Sequence, residues 1–333
     1  MNRNRSKPLN HRERMEVCLS GEKPDRTPVA LWRHFPVDDQ KADRLAAAQL
    51  NFQKNYDFDF VKVTPASGYF VYDWGVKDAW SGHPHGTREY TRRVIRKAEE
   101  WEQLQVLDPR QGHLGEQLAG VRHLTTALSP DTPVIFTVFN PLSQAKKLVG
   151  DDSALFHLRE YPDEFKRGLE TITESSKRFI EALFEAGVDG IFYAVQHAQA
   201  SMLTPDEYRQ YGRPSDLEVL DSAKPGWLNV LHLHGDDVYF ELLADYPVQV
   251  INWHDLETAP DLVGGLEKFP GVVCGGMRQE DTVNLGSAES VRAEAQAAIE
   301  ATGGKRFILG TGCVAPTTTP HGNLIAARLA VEE

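Results

Sequence analysis

Cysteine is scarce in this 333-residue chain, which carries three: Cys18, Cys274 and Cys313. An odd and sparse set builds no disulfide framework and fits a reducing compartment. Long hydrophobic runs are missing too. No stretch approaches the roughly 20 apolar residues that span a bilayer, and the basic stretch from Met1 to Arg26 lacks the apolar core of a signal peptide. A cytoplasmic protein with no membrane partner is expected. Nor is there an excess of positive charge. The chain has 48 acids against 36 lysines and arginines, a net charge of −12, which excludes the basic surface of a general nucleic-acid binder. Histidine, by contrast, is plentiful, at twelve residues.

Short β-branched and aromatic runs recur at residues 28–33, 58–63, 133–138, 190–195, 227–233, 248–253, 271–275 and 306–310. Most are almost continuously apolar, as strands covered on both faces must be. Helical stretches lie between them. Residues 163–186 place Phe165, Leu169, Ile172, Phe179, Ile180 and Leu183 at helical spacing and stop before Gly187. Thr204-Pro205-Asp206-Glu207 reads as an N-cap followed by proline in the first turn, and residues 287–301 form a further helix closing at Gly303-Gly304. A doubly wound sheet carries the same local signals, but eight strand–helix units predict an α/β (β/α)8 TIM barrel. One domain over residues 1–333 is expected, with a long insertion at 66–131 after the second strand. The insertion is read as a hairpin arm at 69–75 followed by helices around 98–105 and 113–128. A segment of that length serves to cover a site.

Active sites of such barrels lie at the C-terminal ends of the strands. The polar residues there are Arg33, His34, Thr64, Asn140, Gln196, His197, His232, His234, Asp236, Asn252, His254, Asp255, Arg278, Thr311 and Cys313. His34, His197, His232, His234 and His254 thus gather at one end. In Leu231-His232-Leu233-His234 the two histidines share a strand face, so both imidazoles can meet one ion, and Cys313 stands across the mouth. Two imidazoles and a thiolate are a zinc set with a fourth position left open for catalysis. The same residues also suit a hydrogen-bonding pocket beside a buried cysteine. Arg33 reads either as a clamp for a carboxylate or phosphate or as half of a structural ion pair. Gly310-Thr311-Gly312 lies too near the C-terminus to open a dinucleotide-binding unit and reads as a rim turn.

Several segments in order along the chain resemble the uroporphyrinogen decarboxylase superfamily, which includes the methylcobamide:coenzyme M methyltransferases. They are Arg12-Glu13-Arg14-Met15, Pro24-Asp25-Arg26-Thr27-Pro28-Val29, Leu203-Thr204-Pro205-Asp206-Glu207-Tyr208, His232 to Asp236, Gly275-Gly276, Gly312-Cys313-Val314-Ala315-Pro316 and Thr319-Pro320-His321-Gly322-Asn323. The resemblance implies a barrel, often dimeric. Decarboxylases of the family carry two arginines after the first strand, an aspartate after the second, D-S-W-A-G after the fourth and G-H-G near the end. Here those places hold Arg33 alone, Val63-Thr64-Pro65, His197-Ala198-Gln199-Ala200-Ser201 and Gly310-Thr311-Gly312. The methyltransferase zinc motif, H-x-C with a distant cysteine, is similar to His232-x-His234 with Cys313. The leading expectation is therefore zinc-assisted methyl transfer. Zinc would sit on His232, His234 and Cys313, and a corrinoid protein would serve as methyl donor. Arg33, His197 and His254 would be the catalytic residues, and Arg33, His34, Asn140, Gln196, Asn252 and Arg278 would bind a small-molecule substrate. The alternative is a metal-free, cofactor-free uroporphyrinogen III decarboxylase of porphyrin biosynthesis, with Arg33 as carboxylate anchor. A third reading is a non-catalytic corrinoid or tetrapyrrole binder.

Overall fold

The structure, a computed structural model, describes residues 8–332; the first seven residues and Glu333 of the expected 1–333 domain lie outside the described residues. Its strands are Val61–Val63 (β1), Lys77–Trp80 (β2), Arg88–Arg92 (β3), Val134–Phe139 (β4), Gly190–Val195 (β5), Val230–Leu233 (β6), Val250–Trp253 (β7), Val272–Met277 (β8) and Phe307–Thr311 (β9). All but β2 and β3 form one parallel sheet in the order β1-β4-β5-β6-β7-β8-β9. Every residue of these strands is buried, because one face looks into the barrel and the other is covered by helices.

The sheet curls shut through the 28–33 run, expected as a full strand. Ala30 N donates to Leu309 O, Leu309 N to Pro28 O and Asp59 N to Val29 O. The segment thus fills the eighth barrel position between β9 and β1, but with a single bridge, Val29 to Leu309, rather than a ladder. Pro28 has no N–H to extend the pairing. The helical expectations also appear. Pro162–Glu185 buries Phe165, Leu169, Ile172, Phe179, Ile180 and Leu183, and Thr204 and Glu207 form a reciprocal capping box. No helix among the described residues is long and apolar enough to cross a membrane.

The insertion differs from expectation at its start. Residues Tyr69–Trp74 form a 3-10 turn, not a hairpin arm. Tyr69 and Phe70 are drawn inward, where they pack edge-on against Phe179 and Phe136, and the Tyr69 hydroxyl donates to Thr137 O. Tertiary burial overrides the strand propensity of the aromatic run. The hairpin is formed instead by antiparallel β2 and β3. Its tip is fastened over the barrel mouth: Thr317 N donates to Pro84 O, and His85 meets Glu280. Gly86 has φ +70, and a Cβ there would fall on His34, so only glycine lets the tip lie this close.

At the other end of the barrel Asp59, fully buried, ties the closure together. It accepts from Arg14, Arg26, His11 and the backbone N–H of Val29 at 2.7–3.0 Å. Burial alone would raise its pKa. The bonds from His11, Arg26 and Arg14 outweigh burial and hold the carboxyl well below the usual carboxylate range. Replacing Asp59 with Asn leaves buried guanidinium groups without their partner, and urea unfolding is expected to show a loss of about 3–5 kcal/mol at neutral pH. A depressed folded-state pKa stabilises above the unfolded value near about 4 and the benefit fades as pH falls below it. The gap between wild type and variant should therefore narrow below that pH. A variant within about 1 kcal/mol of wild type at pH 7 would show that Asp59 carries no such role.

Candidate active-site cavity and metal cluster

A cavity of about 580 Å³ opens at the C-terminal ends of the strands, roofed in part by the hairpin tip from His85 to Tyr90. Alternation along each strand decides what enters it. Lys62 and Thr64 point in after β1 begins, Thr137 and Phe139 from β4, Phe192 and Ala194 from β5, and His232 and His234 from β6 and its end. Phe192 stacks on His232, with ring centroids 5.1 Å apart, and Trp32 meets Phe192 edge-on. One wall of the cavity is therefore aromatic.

Against that wall, His232, His234, His254 and Cys313 each offer one ligand atom, and these atoms lie within 4.8 Å of one another. Cys313 Sγ is 3.9 Å from His232 Nε2 and 3.7 Å from His234 Nδ1. Those spacings are long for hydrogen bonds. They match the edge of about 3.6 Å between a nitrogen and a sulfur bound to one tetrahedral zinc ion. Cys313 reaches the group because Gly312 packs directly on Trp253 O and the His254 backbone, where a Cβ would collide.

Two neighbours fix the ring orientations. The Asn252 amide donates to Cys274 O and Thr311 O, which leaves its oxygen to accept from His232 Nδ1 at 2.7 Å. His232 Nε2 therefore presents its lone pair to the cluster. His254 Nδ1 is bonded to Glu257 at 2.8 Å, and its Nε2 is buried without a hydrogen-bond partner. Burial would raise the Cys313 pKa, but contact with the three imidazoles overrides it and holds the thiol well below its usual range. Burial likewise opposes charging of His254, yet the Cys313 sulfur and Glu257 lift it to about 9.

His34, Gln196, His232, His234 and Cys313 line the cavity as expected from the sequence. Burial and nearby Lys62 lower His34 to about 3, so its ring is neutral. Asn252 stands behind His232 rather than in the cavity, and His254 belongs to the cluster. Four expected residues are elsewhere. Arg33 bonds Thr317 O and packs over Phe35 and Phe52. Asn140 caps the helix Pro141–Val149 and donates to Asp216. His197 is buried with neither ring nitrogen partnered. Arg278 pairs with Glu294. Strand parity explains three of these. Trp32, Phe139 and Gln196 line the cavity, so their successors Arg33, Asn140 and His197 face outward. For Arg278, Gly276 at φ +100 breaks the alternation just before it.

Lys62 and Lys147 are among the lining residues that escaped the sequence reading. Lys62 interrupts the apolar run Val61-Lys62-Val63, and that interruption was the available signal. Lys147 lies in a helix after β4, where spacing gave no indication of a cavity.

Residues 10–333 match the family model described as Uroporphyrinogen decarboxylase (URO-D). The chain belongs to the uroporphyrinogen decarboxylase family. Within it, this family member is 26% identical over 219 residues to the methylcobamide:CoM methyltransferase MtaA of Methanosarcina barkeri, covering 63% of this chain and 62% of that protein. It is 22% identical over 240 residues to MtbA, a methylcobamide:CoM methyltransferase of Methanosarcina acetivorans, covering 70% of this chain and 68% of that protein. The first match spans less than two thirds of the relative's length. A methyltransferase structure from Methanosarcina mazei superposes with a TM-score of 0.85 at 20% identity, over 97% of this chain and 98% of the other. A B12-independent methionine synthase from Shewanella sp. W3-18-1 does so with 0.54 at 15% identity, over 93% and 95%. At these identities the superpositions establish a shared fold.

In this uroporphyrinogen decarboxylase family member the three thiols differ sharply. Burial pushes Cys18 up to about 12 and raises Cys274 as well, while the partly exposed Cys313 is held well below its usual range by the neighbouring imidazoles. Iodoacetamide at pH 6–7 should alkylate Cys313 selectively in metal-stripped protein, as read by peptide mass spectrometry. The His254→Ala variant should slow that reaction. Equal labelling of all three thiols, or none at Cys313, would contradict the assigned electrostatics.

Proposed function

We propose that this chain is a zinc-assisted methyltransferase that passes a methyl group from a methylated corrinoid protein to a small thiol substrate. The observation that carries the reading is the cluster of His232, His234, His254 and Cys313, of which His232, His234 and Cys313 line the cavity. Its donor set, sulfur-to-nitrogen spacings and unpartnered His254 Nε2 fit zinc. His232, His234 and Cys313 would hold the ion, with His254 beside them. When bound, zinc supplies a Lewis-acid centre that favours the thiolate form of a thiol substrate. Family membership and the methylcobamide:CoM methyltransferase relatives support the methyl donor and the acceptor class.

The remaining residues prepare the site. Asn252 holds His232 in one tautomer, and such partners are worth roughly 10–100-fold in metal affinity. Glu257 braces His254. The Trp32–Phe192 wall excludes water from the reacting sulfur, and the hairpin tip limits access from above. Decarboxylation finds less support, because Arg33, its expected carboxylate anchor, does not line the cavity.

Protein purified without chelator should contain about one zinc per chain by mass spectrometry, lost in His234→Ala and in Cys313→Ala. It should demethylate methylcobalamin in the presence of 2-mercaptoethanesulfonate, and both variants should be inactive. Absence of zinc, or zinc retained by both variants, would overturn the metal assignment. Conversion of uroporphyrinogen III to coproporphyrinogen would overturn the reaction assignment.

A further inference from the structure

A chain with a net charge of −12 lines the cavity at its strand ends with Lys62, Arg88, Arg93, Lys146 and Lys147. Two of these cations are neutralised within the protein. Arg88 is held by Asp78 and Asp39, and Lys146 by Asp151. Lys62 and Lys147 are different: they are 4% and 2% exposed, and among the described residues neither has a carboxylate partner. Lys62 Nζ donates to Thr64 Oγ1 at 3.2 Å and lies 4.3 Å from the Phe192 ring centroid. Lys147 Nζ reaches Gln144 Oε1 at 3.5 Å and lies 3.2 Å from the Phe139 centroid. Arg93, beside them, donates to the carbonyls of Lys146 and Lys147.

Buried cations are ordinarily paired, because desolvation without a counter-ion is costly and an aromatic face offsets a small part of it. Cys313 and Asp78 act on Lys62 and Lys147 only through space, without contact, and a contacting partner has space to enter, since both lysines face the same cavity. We infer that Lys62 and Lys147 form the anion-binding subsite of this cavity, and that the molecule it takes carries an acid group: a carboxylate, sulfonate or phosphonate. This rests on the proposed function, because it assigns the acid end of the substrate whose sulfur meets the cluster.

The two lysines stand at different distances from that cluster. Lys62 lies over Phe192, the ring stacked on His232, and so sits beside the metal-ligand group. Lys147 lies over Phe139, which pairs in register with Ala194, one inward position beyond Phe192 toward the mouth. An acid group held between them leaves the rest of the molecule facing Cys313 and its histidines.

The test uses the whole protein and simple probes without a thiol: propionate, methanesulfonate and methylphosphonate, with propionamide as the uncharged match to propionate. Calorimetric titration should show at least one of the acids binding tenfold or more tightly than propionamide, with affinity falling as salt rises. The acid that binds best identifies the anionic group. Lys62→Met and Lys147→Met should each weaken that acid at least tenfold and leave propionamide unchanged. Both should raise or preserve the melting temperature of the ligand-free protein, since an unpaired buried cation is removed. Equal binding of acids and propionamide by wild type would overturn the inference even if a variant failed to fold, as would wild-type affinity in both variants. Zinc content, measured on the same samples, separates the two proposals. Acid binding that persists in zinc-free Cys313→Ala stands apart from the metal reading, and zinc without acid preference removes the anion subsite alone.

Discussion

The side-chain amide of Asn252 is the contact on which the site's geometry depends. It sits in a row that crosses the sheet in register: Phe139, Ala194, His232, Asn252, Cys274 and Ile308. Its two N–H groups are committed to carbonyls of β8 and β9, so its oxygen has one use left, to accept from His232. A buried polar group with all its bonds made is rigid, and one with bonds missing is costly. The same residue thereby joins three strands beyond its own and aims the His232 lone pair. The parallel register that buries the core is also what places a histidine, its orienting amide and the Cys313 turn within reach of each other.

The charge distribution runs against the composition. Acids dominate the chain as a whole, yet among the charged residues that line the cavity cations outnumber acids, and Asp151 is already paired with Lys146. A cleft of one sign with low-dielectric walls concentrates ions of the other sign. The aromatic rings beneath Lys62 and Lys147 strengthen that effect, because they exclude the water that would otherwise screen it. The acidic exterior, by contrast, bears on solubility and on the exclusion of nucleic acid, and leaves the cavity's preference untouched.

Much of the fold was legible in the sequence because parallel strands buried on both faces need continuous apolar runs. The 28–33 run was readable as a barrel position but not as a single bridge, since the missing proline N–H acts through pairing with β9. His232 and His234 were legible from their spacing. Parity, applied to every strand end, would also have turned Arg33, Asn140 and His197 away from the cavity, because Trp32, Phe139 and Gln196 face it. Arg278 would have been harder, as Gly276 leaves the alternation through a positive φ that the sequence permits without requiring. His254 was placed at the right end but read as a catalytic residue rather than as a member of the metal-ligating group. Its nearness to Cys313 arises from the close packing of Gly312 on Trp253, which is a tertiary fact. Lys62 was visible as a charge inside an apolar run, whereas Lys147 depends on how the helix after β4 leans over the mouth.

The donor set has a consequence for reactivity in the proposed reading. Two neutral imidazoles and one thiolate would leave a divalent zinc site with a net positive charge, whereas each additional thiolate would subtract one unit. A more positive centre binds an incoming thiolate more strongly and lowers the pKa of its thiol further. It also withdraws more electron density from the sulfur, which then attacks a methyl group more slowly. Lys62, next to Phe192 and His232, acts in the same direction. The chain's replacement of a sulfur by His234 therefore favours capture and ionisation over intrinsic nucleophilicity. That balance suits a substrate that is scarce or weakly acidic. It asks the rest of the cavity to recover rate by positioning, which an aromatic wall and an acid anchored away from the reacting sulfur are built to provide.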